Sequence, residues 1–185
     1  MRGLTSETFK SVGCFQINTD YYFPIISVYG KRLGCLIHLA NPKKSQGKYL
    51  TELTERGAFL YNEQILPHLF YGQPVVLVEG LYDCLSLHQF KVPCVATTTN
   101  EATLGKLYKI WRYTDKILLW PDSDNAGEEG LEKTLKRAKK IGFKVTIFNI
   151  RDFKDANDYL MRHPDEFKQV IVPTIIDCLK EMSNG

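Results

Sequence analysis

Six acidic residues stand near the ends of apolar runs, where an acid caps the next helix, faces water or, as at Glu79, is costly to bury without a partner. Glu79 closes the apolar run Val75-Val76-Leu77-Val78 and is followed by Gly80. Asp122 and Asp124 follow Ile117-Leu118-Leu119-Trp120-Pro121, Asp155 and Asp158 follow the run 144–150, and Asp83 lies four residues after Glu79. A carboxylate at the end of a buried run must be paired or it loses its charge. Carboxylates gathered together repel one another unless a cation joins them. Hard oxygen ligands select Mg²⁺ or Mn²⁺ over zinc or copper, so the chemistry implied is that of a divalent ion serving phosphate groups. Two of the six acids have a second reading. Asp83 either joins the cluster or caps a helix beginning at Cys84, and Asp158 either joins it or caps a turn over 159–162. The stretch Asp122-Ser123-Asp124-Asn125-Ala126-Gly127 also opens like a calcium EF-hand loop. Its twelfth position is Lys133, however, and a strand precedes it where a helix should.

For these acids to meet, the chain must deliver them to one edge. Four short apolar runs, 74–79, 92–97, 116–121 and 144–150, read as strands covered on both faces. Helical patterns separate them. The segment 82–90 carries Leu85, Leu87 and Phe90. Residues 103–113 place Leu104, Leu107, Tyr108 and Trp111 on one face. Residues 128–141 do the same with Leu131, Leu135, Ala138 and Ile141, and Gly142 stands at a C-terminal cap position. Alternating strands and helices imply a mostly parallel sheet, whose ligands bind beyond the carboxyl ends of the strands. Upstream, 22–28 and 32–39 read as a hairpin around Tyr29-Gly30-Lys31, 40–48 as a basic loop and 55–66 as a helix. From 164 onward the pattern is a helical tail that Pro173 should break or kink. The expected organisation is a small basic α+β subdomain over 1–72, a catalytic domain over 73–163 and a tail over 164–185.

Composition narrows the function classes. The chain has 185 residues and a formal net charge of +3, which excludes both an acidic solvating protein and a strongly basic DNA-coating one. It permits a nucleic-acid site built from local patches. No apolar run approaches a membrane span, and the first residues lack a signal-peptide core. Five cysteines without CxxC spacing read as free thiols of a reducing cytosol, so a cytoplasmic location and no membrane partner are expected. A P-loop, a dinucleotide-binding GxGxxG and a GxSxG nucleophile elbow are all absent. The basic run Lys133, Lys136, Arg137, Lys139 and Lys140 reads as the solvated face of an amphipathic helix. Tyr21, Tyr22 and Phe23 read either as base-stacking residues or as core.

Three segments resemble, in order and spacing, the signatures of the Toprim domain shared by bacterial-type primases, topoisomerases and some nucleases. They are Val78-Glu79-Gly80 with Asp83, Asp122-Ser123-Asp124-Asn125-Ala126-Gly127, and Lys154-Asp155-Ala156-Asn157-Asp158-Tyr159-Leu160. Upstream elements are similar to the approach to the DnaG-type primase core: Tyr22-Phe23-Pro24-Ile25, Gly30-Lys31-Arg32-Leu33-Gly34, Gly47-Lys48-Tyr49-Leu50-Thr51, Arg56-Gly57 and Leu60-Tyr61-Asn62-Glu63. The chain departs from the family where Ala96-Thr97-Thr98-Thr99-Asn100 replaces a Gly-Thr turn. His38 stands where an Arg is common, and no upstream zinc-ligand set is present.

The resemblance implies an α/β, Toprim-like fold: a mostly parallel four-stranded sheet flanked by helices, preceded by a small α+β subdomain. It implies a DNA primase-type core that makes short primers on a single-stranded DNA template from nucleoside triphosphates. Glu79, Asp122 and Asp124 would be catalytic and would hold Mg²⁺ or Mn²⁺, with Asp155, Asp83 and Asp158 as further ligands. Lys48 and Arg56 would contact nucleotide or template, with Lys43, Lys44 and Lys31 adding backbone attraction. A helicase or a separate zinc-binding, template-recognising module is the expected partner. Two other readings use the same residues: a Toprim nuclease in which the metal site activates water, and a non-catalytic nucleic-acid-binding domain.

Overall fold

The computed structural model describes residues 2–43, 49–54, 58–70, 72–150 and 152–184. Two four-stranded sheets organise them. The first is antiparallel, with β1 (Phe15–Ile17), β2 (Asp20–Ile26), β3 (Arg32–His38) and β4 (Tyr49–Leu53) in sequential order. A short helix, α1 (Ser6–Ser11), precedes it, and the Thr5 side chain caps that helix by accepting from Thr8 N. The second sheet is wholly parallel. It contains β5 (Val75–Val78), β6 (Cys94–Ala96), β7 (Lys116–Trp120) and β8 (Lys144–Ile147), in the order β6-β5-β7-β8. Its crossovers carry α2 (Leu81–His88), α3 (Leu104–Trp111) and α4 (Asn125–Ile141). Beyond β8 come α5 (Ala156–Arg162), α6 (Pro164–Glu166), a π-helical turn over Phe167–Ile171 and α7 (Val172–Asn184).

The strand pleat divides the core in two. Val76, Val78, Cys94, Ala96, Leu118 and Trp120 face one side, against α2, α5, the tail and Phe23, Ile25 and Leu36 of the antiparallel sheet. Val75, Leu77, Val95, Ile117 and Leu119 face the other, against Leu107 and Ile110 of α3 and Ala138 of α4. Because both faces are covered, β5, β6 and β7 read as continuous apolar runs, whereas β8, also expected to be covered on both faces, is a largely exposed edge strand paired only with β7. Among the described residues no helix is long and apolar enough to cross a membrane.

Five details differ from the sequence expectations. Residues 58–66 form no α-helix; the stretch supplies a clasp to the sheet edge. Tyr61 N donates to Ala96 O at 2.9 Å and Ala96 N returns a bond to Tyr61 O at 3.1 Å. Asn62 Nδ2 donates to Cys94 O at 2.8 Å, and a 3₁₀ turn over Glu63–His68 follows. Pairing with β6 outcompetes the local helical pattern, and Asn62 at φ 66 stops any helix there. The strands β1 and β4 have no clear apolar alternation and exist through their pairing with β2 and β3. α2 begins at Leu81, so Asp83 lies inside its first turn and caps nothing at Cys84. Asp155, not Asp158, caps α5, with its Oδ1 accepting from Asp158 N at 2.7 Å. In the tail, Pro173 is the second residue of α7 and breaks nothing; it sits in that helix's first turn, directly after the π-helical turn.

Candidate active site

The strand order reverses between β5 and β7, which opens a crevice at their carboxyl ends. Val78 and Trp120 are register partners there, so the residues just beyond them are neighbours. Glu79 and Asp122 meet at this point, with Asp122 N donating to Glu79 Oε1 at 3.3 Å. The Lys154 carbonyl brings in the third loop: Ser123 N donates to Lys154 O at 2.7 Å. Asp83 arrives from α2 and Asp155 from the start of α5. Asp83, Asp122 and Asp155 each offer an oxygen, all within 4.8 Å of one another.

The electrostatics show how crowded this is. Burial raises Glu79 to about 7, and the Asp122 and Asp124 charges add to the rise. Burial, then the Asp155 charge, raises Asp122 to about 6, with Lys154 opposing. Asp83 is pushed well above the carboxylate range by burial and by Asp155 and Asp122. Asp124 behaves oppositely. It is exposed and caps α4, accepting from Gly127 N at 2.9 Å, and this bond together with Lys154 lowers its pKa. Lys154 Nζ lies 3.2 Å from Asp124 Oδ2 and 4.0 Å from Asp122 Oδ2, and the acids raise its pKa in turn. The crowding of Asp83, Asp122 and Asp155, with Asp83, Asp122 and the neighbouring Glu79 all shifted upward, fits a divalent cation, which would take the place of protons. Gly80 is part of the cradle, because a Cβ there would overlap Asp83 Oδ2.

A cleft of about 490 Å³ opens over the acids. Glu79, Asp83, Asp122 and Asp155 line one side, and Leu36, Tyr49 and Thr51 of the antiparallel sheet line the other. Thr98, Thr99 and Asn100 form a lip. Thr98 holds φ 59, a left-handed conformation rare for a β-branched residue, and its N–H donates to Glu79 O at 2.8 Å. The buried Lys106 fixes the same turn by donating to Thr97 O at 2.6 Å and Thr99 Oγ1 at 2.9 Å.

Residues 76–160 match a family described as Toprim-like. The DNA primase of Clostridium acetobutylicum is 28% identical over 149 residues, covering 78% of this chain and 25% of that protein. The DNA primase of Rickettsia typhi is 30% identical over 151 residues, covering 78% of this chain and 26% of that protein. A DnaG primase catalytic domain bound to ssDNA superposes with a TM-score of 0.70 at 17% identity, over 97% of this chain and 68% of that one. The chain carries a DnaG-type Toprim domain. The primase fragment of the bacteriophage T7 primase-helicase protein is also similar, with a TM-score of 0.69 at 20% identity, over 89% of this chain and 68% of that one. The chain spans about a quarter of the length of the curated relatives it matches.

Within the Toprim domain, Glu79, Asp83, Asp122 and Asp155 line the cleft. Asp124 borders it through Lys154. Asp158 is engaged elsewhere: its Oδ2 accepts from Lys154 N at 3.2 Å and its Oδ1 pairs with Arg162 Nε at 2.9 Å. Lys31 and Lys43 are exposed, and neither lines the cleft. Lys44, Lys48 and Arg56 lie outside the described residues. Phe23 is fully buried, and Tyr22 stacks on Phe15 with centroids 5.2 Å apart, so this aromatic run serves packing. The sequence did not single out Arg2, Tyr49, Tyr82 or Asn157. Asn157 and Tyr49 fall inside matched segments, but nothing local to Arg2 signals its place in the cleft.

Proposed function

We propose that this chain is a primase-type catalytic core, a metal-dependent nucleotidyltransferase joining nucleoside triphosphates into short primers on single-stranded DNA. The observation that carries this reading is the meeting of Asp83, Asp122 and Asp155 beside Glu79 in a cleft walled by a second sheet. Its support from relatives is their shared description as DNA primases and a similar structure bound to ssDNA.

Asp83, Asp122 and Asp155 would hold Mg²⁺ or Mn²⁺, with Glu79 and Asp124 beside them. A bound ion would acidify the attacking 3′-hydroxyl and neutralise triphosphate charge. The chain's own residues do the positioning. Gly80 leaves room for the Asp83 carboxylate, and Thr98 N–H anchors the Glu79 backbone. Lys154 balances Asp124 and, through its carbonyl, ties the loop after β7 to the start of α5. We assign residues 73–163 to catalysis, 1–72 to nucleotide and template contact through Lys31, Lys43, Lys44, Lys48 and Arg56, and 164–185 to bracing the core. A helicase or a zinc-binding module would supply template recognition, and the work would take place in the cytoplasm.

One gel tests this. The chain is incubated with end-labelled single-stranded DNA, labelled NTPs or dNTPs, and Mg²⁺ or Mn²⁺, beside the Asp122→Asn variant. New labelled oligomers that vanish in the variant support the proposal. Shortened DNA that vanishes in the variant makes the chain a nuclease instead.

A further inference from the structure

Lys106 is a buried cation that the chemistry of the acids does not use. It lies on α3, 6% exposed, on the same helix as the core residues Leu107 and Ile110. A buried ammonium is costly where an apolar side chain of the same length would fill the space. Burial lowers the Lys106 pKa, and the Glu101 charge partly restores it. The ammonium is devoted to the lip of the cleft. It donates to Thr97 O at 2.6 Å and to Thr99 Oγ1 at 2.9 Å, with the Phe59 ring centroid 6.0 Å away. One turn further on, Lys109 Nζ holds the fully buried Glu63 at 2.8 Å. The helix therefore grips both the clasp onto β6 and the lip that follows that strand.

The lip needs that grip. Thr98 is β-branched and left-handed, a conformation that persists only where its surroundings over-determine it. Thr97 N donates to Val78 O at 3.0 Å and Thr98 N to Glu79 O at 2.8 Å, so the turn is bonded to the strand end that carries Glu79. Its far end is set by α4: a Cβ on Gly130 would overlap Asn100 O, and Ala102 N donates to Thr134 Oγ1 at 3.0 Å. Between these anchors the Thr97–Thr98 peptide is held from both sides. Lys106 takes its carbonyl, and Glu79 O takes its N–H. A cation on a peptide carbonyl polarises the group and strengthens the bond its N–H makes. Glu79 Oε1 in turn accepts from Asp122 N at 3.3 Å. A chain of hydrogen bonds thus leads from the Lys106 ammonium, through one peptide and Glu79, to the loop that carries Asp122.

We propose that Lys106 is a positioning residue of the nucleotidyl-transfer site, acting through the Thr97–Thr98 peptide to hold Glu79 in register with Asp122. The assignment deepens the primase-type reading and rests on it. Three variants of the full chain test it. Lys106→Met keeps the length and removes the donors, Lys106→Arg keeps charge and donors, and Ile110→Val trims the core beneath the same helix without touching the lip. The readouts are amide hydrogen exchange by NMR in EDTA, and primer synthesis on single-stranded DNA with Mn²⁺ over a range of NTP concentrations. In Lys106→Met the Thr98 N–H should exchange roughly ten- to hundredfold faster, the range for losing a hydrogen bond to a charged group. In the same variant kcat should fall about tenfold with nucleotide KM unchanged. Lys106→Arg should restore part of both. Ile110→Val should lower the urea midpoint and leave both readouts at wild-type values. Thr98 exchange at the wild-type rate in Lys106→Met would overturn the assignment and leave the primase-type reading standing. A kcat loss matched by Ile110→Val would reduce Lys106 to a structural role, and so would faster exchange with kcat unchanged. A raised KM with kcat unchanged would overturn the link to Glu79 in favour of nucleotide contact by the lip. A wild-type chain that makes no primers would remove the primase-type reading and the positioning role together.

Discussion

Without metal, the acid cluster should make the protein less stable as pH rises. Glu79 moves from 4.5 to about 7 and Asp122 from 3.8 to about 6 on folding. Between those values the folded state binds more protons than the unfolded one, so stability falls as pH rises from about 4 to 7. Each pKa unit is worth about 1.4 kcal/mol, but both groups are partly exposed, and solvent screening leaves ~2 kcal/mol for the pair. Asp83 acts in the same direction. His88 opposes it, since burial lowers its pKa and it gains stability as pH rises through the imidazole range. For a chain this size ~2 kcal/mol is roughly 4–8 °C in Tm. Thermal melts in EDTA at pH 5.5 and 8 read the effect. Asp122→Asn should flatten the profile, and Mg²⁺ at about a hundredfold over its Kd should add ~2.7 kcal/mol at pH 8. A Tm in EDTA that stays level or rises with pH, and does not respond to Asp122→Asn, would refute the electrostatic account of the site.

Other perturbations separate charge from scaffold. Asp124→Asn should keep the α4 cap and lose metal-dependent turnover, whereas Asp124→Ala should also cost ~1 kcal/mol of stability, readable in urea melts. Gly80→Ala should cut Mn²⁺ affinity by displacing Asp83, measured by calorimetry against wild type. Lys106→Met should cost ~1–2 kcal/mol in denaturant melts, because Thr97 O and Thr99 Oγ1 lose their donor. Phe167→Ala should cost ~3–5 kcal/mol, since the ring is fully buried in the core shared with the Toprim sheet. An unchanged urea midpoint would detach the tail from that core.

The parallel half of the fold was legible because each strand is a short apolar run closed by polar residues, and α4 ends on Gly142 at φ 106. The acids were legible because strand ends place them on one edge. Their division of labour was not. Asp155 is a helix cap as well as a cluster member, Asp124 is a cap at the border of the cleft, and Asp158 is bound to Arg162, facts that depend on where helices begin. β4 is exposed along its whole length, so its strand character comes from β3 and not from its own pattern. The segment at Tyr61 looked helical because a period read locally does not register a long-range partner such as Ala96. Arg2 lies 155 residues from the Asn157 that places it, beyond the reach of any spacing rule.

The shared core also has a consequence for how the chain is made. Phe23, Ile25 and Leu36 belong to the same buried cluster as Phe167, Ile175 and Leu179. During synthesis the antiparallel sheet therefore emerges long before the helix that completes this cluster. Its apolar face must wait, exposed, while the parallel sheet closes over contacts distant in sequence, which is intrinsically slow. Nascent chains of this protein should thus depend on holding chaperones until α7 has left the ribosome.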